Sequence, residues 1–189
     1  MNAAGIVLQA RMGSRRLPGK VLAPLGGEPL VARCVERLRL ASGLPVILAT
    51  TLGPEDDVLC AWAAAANVPV VRGPSDDVLA RYVLAALTHH LAVVVRATAD
   101  NPAVDPEAPL RTVDALCRTG VDYVTEVGLP VGSAVEACTT AALRLAHATT
   151  GAPYDREHVT PFLRRDRRVT SLDLLAPAAL RRPDVRLTV

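Results

Sequence analysis

Aromatic residues are scarce, 3% of 189, with a single tryptophan and a single phenylalanine. So few rings leave no platform on which nucleic-acid bases would stack, and a core must be built from alanine, valine and leucine. Charge of one sign is also missing: the formal net charge is only +2, too small for bulk binding to DNA or RNA. The four cysteines, Cys34, Cys60, Cys117 and Cys138, are far apart and form no C-x-x-C pair. That argues against a disulfide framework or a zinc knuckle. Cys34, Cys60 and Cys117 fall on apolar positions of predicted helices, where cysteine acts as a small core residue. No charged start with a long apolar stretch opens the chain, and no apolar run approaches a membrane span. A soluble cytoplasmic protein is expected, with residues 1–189 forming one domain.

Apolar runs alternating with amphipathic stretches fill most of this length. Ile6–Leu8, Leu44–Ala49, Val68–Val71, Val93–Val95 and Val121–Thr125 read as strands, separated by helices at 3.6-residue spacing. One helix begins near Pro29. Another follows Pro54, with Glu55, Asp56 and Asp57 supplying the charge its N-terminus favours. Gly73 to Asp77 forms a turn and cap for a helix reaching about His89, and Asp105 is the expected N-cap of a helix with Pro106 at its first position. Val93-Val94-Val95 should lie centrally, because strands covered on both faces read as unbroken apolar runs. The pattern then loosens into a strand at Val135–Thr139, helices at Thr140–Thr149 and Tyr154–Arg165, and late strands at Val169–Leu174 and Val185–Val189. The class is α/β, with a doubly wound, mostly parallel Rossmann-like sheet.

The first strand runs into Gln9-Ala10-Arg11-Met12-Gly13-Ser14-Arg15-Arg16-Leu17-Pro18-Gly19-Lys20. Glycines allow close backbone approach to a ligand, and clustered arginine and lysine donors suit phosphate oxygens. Four like charges within ten residues repel unless an anion sits among them. A Walker A loop is excluded, since five residues separate Gly13 from Gly19 and Val21 follows Lys20, where a magnesium-holding hydroxyl would be needed. Ligands of open α/β sheets sit at the carboxyl ends of the strands. That brings the segment after Val95, Arg96 to Pro102, beside this loop and places Asp100 near its phosphates as a magnesium carboxylate.

The stretch Gln9 to Lys20 resembles the signature of the cytidylyltransferase-like family, which includes the spore-coat polysaccharide biosynthesis protein F group and the synthetases activating sialic acid and 3-deoxy-manno-octulosonate with CTP. The resemblance extends over essentially the whole chain and implies a sheet of the nucleotide-diphospho-sugar transferase type. It further implies a magnesium-dependent reaction in which a small anionic acceptor, a sugar acid or phosphonate, takes the nucleotidyl group of CTP and pyrophosphate leaves. Arg11, Arg16, Lys20 and Asp100 then carry the chemistry, with Asp100 on the metal. Ala10, Gly13, Ser14, Arg72, Asp76, Asp77 and Thr98 receive the nucleotide, with Arg81 and Tyr82 on the same side. Glu136, Arg156, Glu157 and His158 face the acceptor, although a lone histidine such as His158 reads rather as a helix residue tied to a neighbouring carboxylate. A homodimer is expected from the family alone.

Two departures stand out. The family has an aspartate two residues before Glu136, where this chain has Ala134. The ending Arg186 to Val189 normally runs into an acidic segment that resembles a second magnesium ligand. The expectation is a chain truncated at its C-terminus; a single-carboxylate metal site and a catalytically weak nucleotide-binding remnant are the alternatives. A nucleotide-sugar glycosyltransferase of the same fold would call for a D-x-D pair, whereas Asp100-Asn101-Pro102 stands there.

Overall fold

The computed structural model describes residues 3–14 and 17–189. Its centre is a seven-stranded sheet. The strands are β1 (Ala4–Gln9), β4 (Val46–Thr51), β5 (Val70–Gly73), β6 (Val93–Thr98), β7 (Tyr123–Val127), β8 (Glu136–Thr139) and β9 (Ser171–Leu175). A two-residue ribbon of β2 (Pro24–Leu25) and β3 (Glu28–Pro29) stands apart. The order across the sheet is β5-β4-β1-β6-β8-β7-β9, and only β8 runs antiparallel to its neighbours. β6 is therefore the central strand, as its unbroken valines predict. The chain steps outward from β1 through β4 to β5, then returns to place β6 on the other side of β1. That reversal is the position where open α/β sheets take their ligands.

Strand periodicity divides the core into two layers. Ile6, Leu8, Val46, Leu48, Val93 and Val95 face α1 (Leu30–Leu40), α2 (Asp57–Ala65) and α4 (Ala108–Thr119). Val7, Ile47, Ala49 and Val94 face α3 (Val78–Thr88) and α5 (Thr140–Thr149). The polar residues Arg96 and Thr98 continue the face of Val94, so the carboxyl end of the central strand carries chemistry on the α3 side. No described helix is long and apolar enough to cross a membrane.

Several elements differ from the sequence reading. The helix expected over Tyr154–Arg165 is two, α6 (Pro153–His158) and α7 (Pro161–Arg165). Pro161 has no N–H to donate back to the turn before it and so sits at the first position of a new helix, and Val159 turns to φ 70° at the break. Residues 185–189 form no strand, only an isolated bridge between Val131 and Arg186. Pro130 and Gly132, the latter at φ 97°, flank Val131 and leave it alone as a pairing edge. Asp105 does not cap α4, which starts at Ala108; its carboxylate instead pairs with Arg111. Cys117 is exposed rather than part of the core, because its face of α4 turns to solvent.

Candidate active site

Where the chain leaves β1, three contacts anchor the basic loop. Ala10 N–H donates to Ala49 O at 3.1 Å, extending the β1–β4 pairing by one residue. Met12 N–H donates to Asp56 Oδ1 at 2.7 Å. Met12 O in turn accepts from both Ser14 N–H (2.8 Å) and Gly19 N–H (2.9 Å), so one peptide unit ties the two limbs of the loop together. Gly19 closes the turn at φ 73°, a left-handed conformation that glycine adopts without strain. It delivers Lys20 at the head of a short 3-10 turn whose Val21 is buried.

Asp56 is a residue that sequence reasoning undervalued. It was read as a favourable charge at a helix start, yet its side chain is wholly buried. Besides Met12 N–H, its carboxylate accepts from Thr50 Oγ1 at 2.8 Å, Thr51 N–H at 3.0 Å and the Thr51 hydroxyl. Burial alone would raise its pKa; the donors from Met12, Thr51 and Thr50 outweigh it and hold the group ionised below its ordinary value. The two threonines ending β4 are the signal in the sequence, since adjacent hydroxyls facing a buried carboxylate form such a nest.

Beside the loop opens a cleft of about 420 Å³ at the carboxyl ends of β1 and β6, within the range of small-molecule sites. Of the sequence-predicted residues, Ala10, Arg11, Ser14, Lys20, Thr98, Asp100, Glu157 and His158 line it. Asp100 Oδ1 accepts from Thr98 Oγ1 at 2.7 Å, and Asp100 Oδ2 lies 3.4 Å from Lys20 Nζ. Lys20 Nζ also donates to the main-chain oxygen of Val189 at 2.9 Å, while Asp100 O accepts from Val189 N–H at 2.9 Å. The loose contact leaves a carboxylate oxygen open to the cleft, which fits one protein ligand of a magnesium ion. Among the described residues no group of three or more His, Cys, Asp or Glu side chains is arranged to hold a metal.

The remaining predicted residues lie elsewhere. Gly13 and Asp76 are exposed and do not line the cleft. Arg72 is engaged with Thr51 O, Gly53 O and Asp57, pinning the turn after β4. Asp77 caps α3 through Ala80 N–H at 2.8 Å and pairs with Arg156 at 3.0 Å. Arg156 also donates to Thr150 O and His147 O, so it fastens α6 to α3 and α5. Glu136 is buried behind the cleft and accepts from Arg96, Thr160, Arg164 and the Tyr123 hydroxyl. Burial opposes its charge, but Arg96 and the other donors hold its pKa below the usual value. Tyr82 is buried, its hydroxyl donating to Ala97 O at 2.9 Å. Arg16 lies outside the described residues.

Two arginines on the cleft wall, Arg81 and Arg96, add to Arg11 and Lys20, against the carboxylates of Asp100 and Glu157. Arg81 is the largest fully buried side chain, at 2% exposure, yet it meets no carboxylate among the described residues; it donates only to Pro74 O and Ser75 O. Three buried side-chain polar atoms lack a hydrogen-bond partner among the described residues: Gln9 Oε1, Arg81 Nε and Arg96 Nε. All three residues line this cleft. Buried polar groups in proteins are nearly always satisfied, so orphans gathered in one place mark where a ligand's polar atoms go.

Known proteins resemble the chain over its whole length. The spore coat polysaccharide biosynthesis protein SpsF of Bacillus subtilis is 35% identical over 197 aligned positions, covering 100% of this chain and 82% of that protein. A cytidylyltransferase structure from Leptospira borgpetersenii superposes with a TM-score of 0.91 at 29% identity, covering 100% of this chain and 82% of that one. The structure of CMP:2-keto-3-deoxy-manno-octonic acid synthetase complexed with CTP shares the fold, with a TM-score of 0.70 at 17% identity over 92% of this chain and 90% of that one. The sequence profile of the family described as Cytidylyltransferase matches residues 4–185, and the chain belongs to the cytidylyltransferase family.

Proposed function

We propose that the cleft transfers the cytidylyl group of CTP to a small anionic acceptor, a sugar acid or a phosphonate, releasing pyrophosphate. The observation that carries this reading is the set of unpartnered buried polar atoms, Gln9 Oε1, Arg81 Nε and Arg96 Nε, gathered beside a basic loop at the strand-order reversal. An acceptor oxygen attacks the α-phosphorus and forms the new O–P bond. The bond from that phosphorus to the bridging oxygen breaks, and the electron pair leaves with pyrophosphate. A hydroxyl acceptor gives its proton to water at the open rim. Such a reaction asks mostly for alignment and for charge neutralisation.

Lys20, positioned by the Gly19 turn, meets the leaving phosphates, and Arg16 is proposed to join it. Arg11 contacts the α-phosphate or its neighbour. Met12, anchored through its N–H to Asp56, holds Ser14 and Gly19 together through its carbonyl, which lessens the ordering of these residues when the nucleotide binds. Arg81 neutralises phosphate charge from a buried position. Asp100 would hold a magnesium ion, which when bound draws electron density from the phosphate oxygens.

Calorimetric titration with CTP, ATP, GTP and UTP, with and without magnesium, tests this directly. Selective, magnesium-strengthened CTP binding, followed by pyrophosphate release with an acidic acceptor, is the expected result. Absence of binding to all four triphosphates would reject it.

A further inference from the structure

Arg96 and Glu136 are opposed across the antiparallel β6–β8 pair. Arg96 Nη1 donates to Glu136 Oε2 at 2.8 Å. The same carboxylate accepts from Arg164 Nη2 at 2.6 Å, from Thr160 Oγ1 at 3.2 Å and from the Tyr123 hydroxyl. Two guanidinium groups thus share one carboxylate, leaving an excess of positive charge. Arg164 dissipates its share in water: its side chain is 54% exposed and stacks over the Tyr123 ring. Arg96 has only 18% of its side chain exposed and keeps its charge inside the cleft wall.

Among the described residues, only Nη1 of Arg96 is engaged by the protein. Nε is buried without a partner, and Nη2 has no hydrogen bond among the described residues. Nε and Nη2 together form the side-on edge of a guanidinium, the fork that binds an oxyanion through two parallel hydrogen bonds. The Glu136 bond at the opposite side holds the plane of the group, so this edge is fixed before any ligand arrives.

The register separates this edge from the triphosphate loop. Gln9, the last residue before the loop, is paired with Thr98, whereas Arg96 is paired with Val7. Arg96 therefore lies two residues back along β6, about 6–7 Å, on the same face as Thr98. Arg11, Lys20 and Asp100 already serve the phosphates at the loop end, and the exposed residues of α6, Glu157 and His158, close the cleft elsewhere.

We propose that the Nε–Nη2 edge of Arg96 is the site that recognises the acid group of the acceptor, with Glu136 as the positioning residue behind it. This assignment rests on the cytidylyl-transfer reading for the identity of the ligand as an acceptor. The acceptor's acid would be a carboxylate or phosphonate lying within one or two bonds of the reacting oxygen, so that the oxygen reaches the phosphorus held between Thr98 and the loop. Neutral acceptors of the same shape are disfavoured, because they leave the buried charge uncompensated.

The test titrates glycolate, methylphosphonate and, as a neutral control, glycolamide into the full chain, with and without CTP, by saturation-transfer NMR. Wild type is expected to bind both anions saturably and glycolamide not at all. Arg96→Met should lose about 10- to 100-fold in anion affinity while its affinity for CTP stays within about twofold. The fold should survive, because Glu136 retains Arg164, Tyr123 and Thr160; Arg96→Lys, which keeps the charge without the fork, should fall between. Equal anion binding by wild type and Arg96→Met overturns the proposal. So does an equal loss of CTP affinity, or a wild type that binds neither anion. Should CTP fail to bind wild type while Arg96-dependent anion binding persists, the cytidylyl-transfer reading falls and the Arg96 site stands.

Discussion

Replacing Asp56 by asparagine tests whether the loop is held from behind. The carboxylate is wholly buried and receives two main-chain N–H groups, from Met12 at 2.7 Å and Thr51 at 3.0 Å, on different oxygens. An asparagine offers one oxygen only. Whichever way its amide turns, an NH2 group faces one of those two N–H donors. One buried donor then loses its acceptor at a cost of about 1–3 kcal/mol, and the bonds that remain lose their charge assistance, roughly another 1 kcal/mol. The threonine hydroxyls can rotate to follow, so they add little. A loss of about 2–4 kcal/mol corresponds to a fall in melting temperature of roughly 4–16 °C for a chain of this size. The single oxygen keeps the three donors from Thr50 and Thr51, so the NH2 turns toward Met12; Met12, whose carbonyl binds Ser14 and Gly19, then loses its anchor, and CTP affinity falls as well. Thermal unfolding followed by circular dichroism, together with calorimetric titration of CTP, reads both effects. A variant melting within about 1 °C of wild type would refute the hydrogen-bond accounting. A large fall in melting temperature with unchanged CTP affinity, measured well below the transition, would refute the link to the loop.

Lys20→Ala should weaken CTP binding about 10- to 100-fold with little change in the melting temperature of the free protein, since Lys20 makes a loose ion pair with Asp100 and one exposed hydrogen bond to the Val189 main-chain oxygen. Arg81→Met should cost a similar factor in CTP affinity yet leave the free protein as stable or more so, because it removes a buried charge that has no carboxylate partner; a large drop in melting temperature would show the arginine to be structural. Arg156→Ala should lower stability by about 1–3 kcal/mol, because α6 loses its ties to Asp77, Thr150 and His147, while CTP affinity measured by calorimetry stays constant. Acid unfolding should follow Asp56, Glu136 and Asp155, all held below their ordinary pKa. Groups with depressed folded values contribute stability that is present above the unfolded carboxylate range, near pH 4, and is lost as pH falls through the folded values. Melting temperature should therefore be flat between about pH 5 and 7 and fall below about pH 4, a profile that a pH series of thermal scans records.

Much of the fold was legible because valine runs and helical spacing report burial directly. Val93-Val94-Val95 identified the central strand, and Asp77 was recognisable as a cap because an aspartate before an apolar helical face leaves few other structures open. What local pattern does not carry is partner choice. Nothing in Tyr154–Arg165 except Pro161 marks the break between α6 and α7. Residues 185–189 have strand composition, but whether they pair depends on the loop around Val131, far away in the chain. At the site, the basic loop was visible as residue types that suit phosphate, and Asp100 as a carboxylate that suits magnesium. The division of the arginines was not. Arg72 and Arg156 carry the same guanidinium as Arg81 and Arg96, and only the fold shows that the first two are engaged with structural acceptors.

That division explains how a basic cleft persists in a protein of nearly neutral charge. Arg111 is surrounded by Asp105, Glu107 and Glu126, and Arg165 meets the buried Asp155. These pairs cancel locally, each buried charge keeping the partner without which its burial would be strongly destabilising. Arg81 is buried without such a partner, and Arg96 shares Glu136 with Arg164. Burying charge without full compensation is unfavourable, so the rest of the structure must supply the difference through packing around Leu79, Tyr82 and Val94. An anion entering the cleft recovers that stored cost as binding energy, and it does so most where the guanidinium is already fixed by a carbonyl or a carboxylate on its far side. Bound nucleotide should therefore raise the melting temperature by more than the same nucleotide does once Arg81 has been neutralised, and a bound acid acceptor should do the same with respect to Arg96.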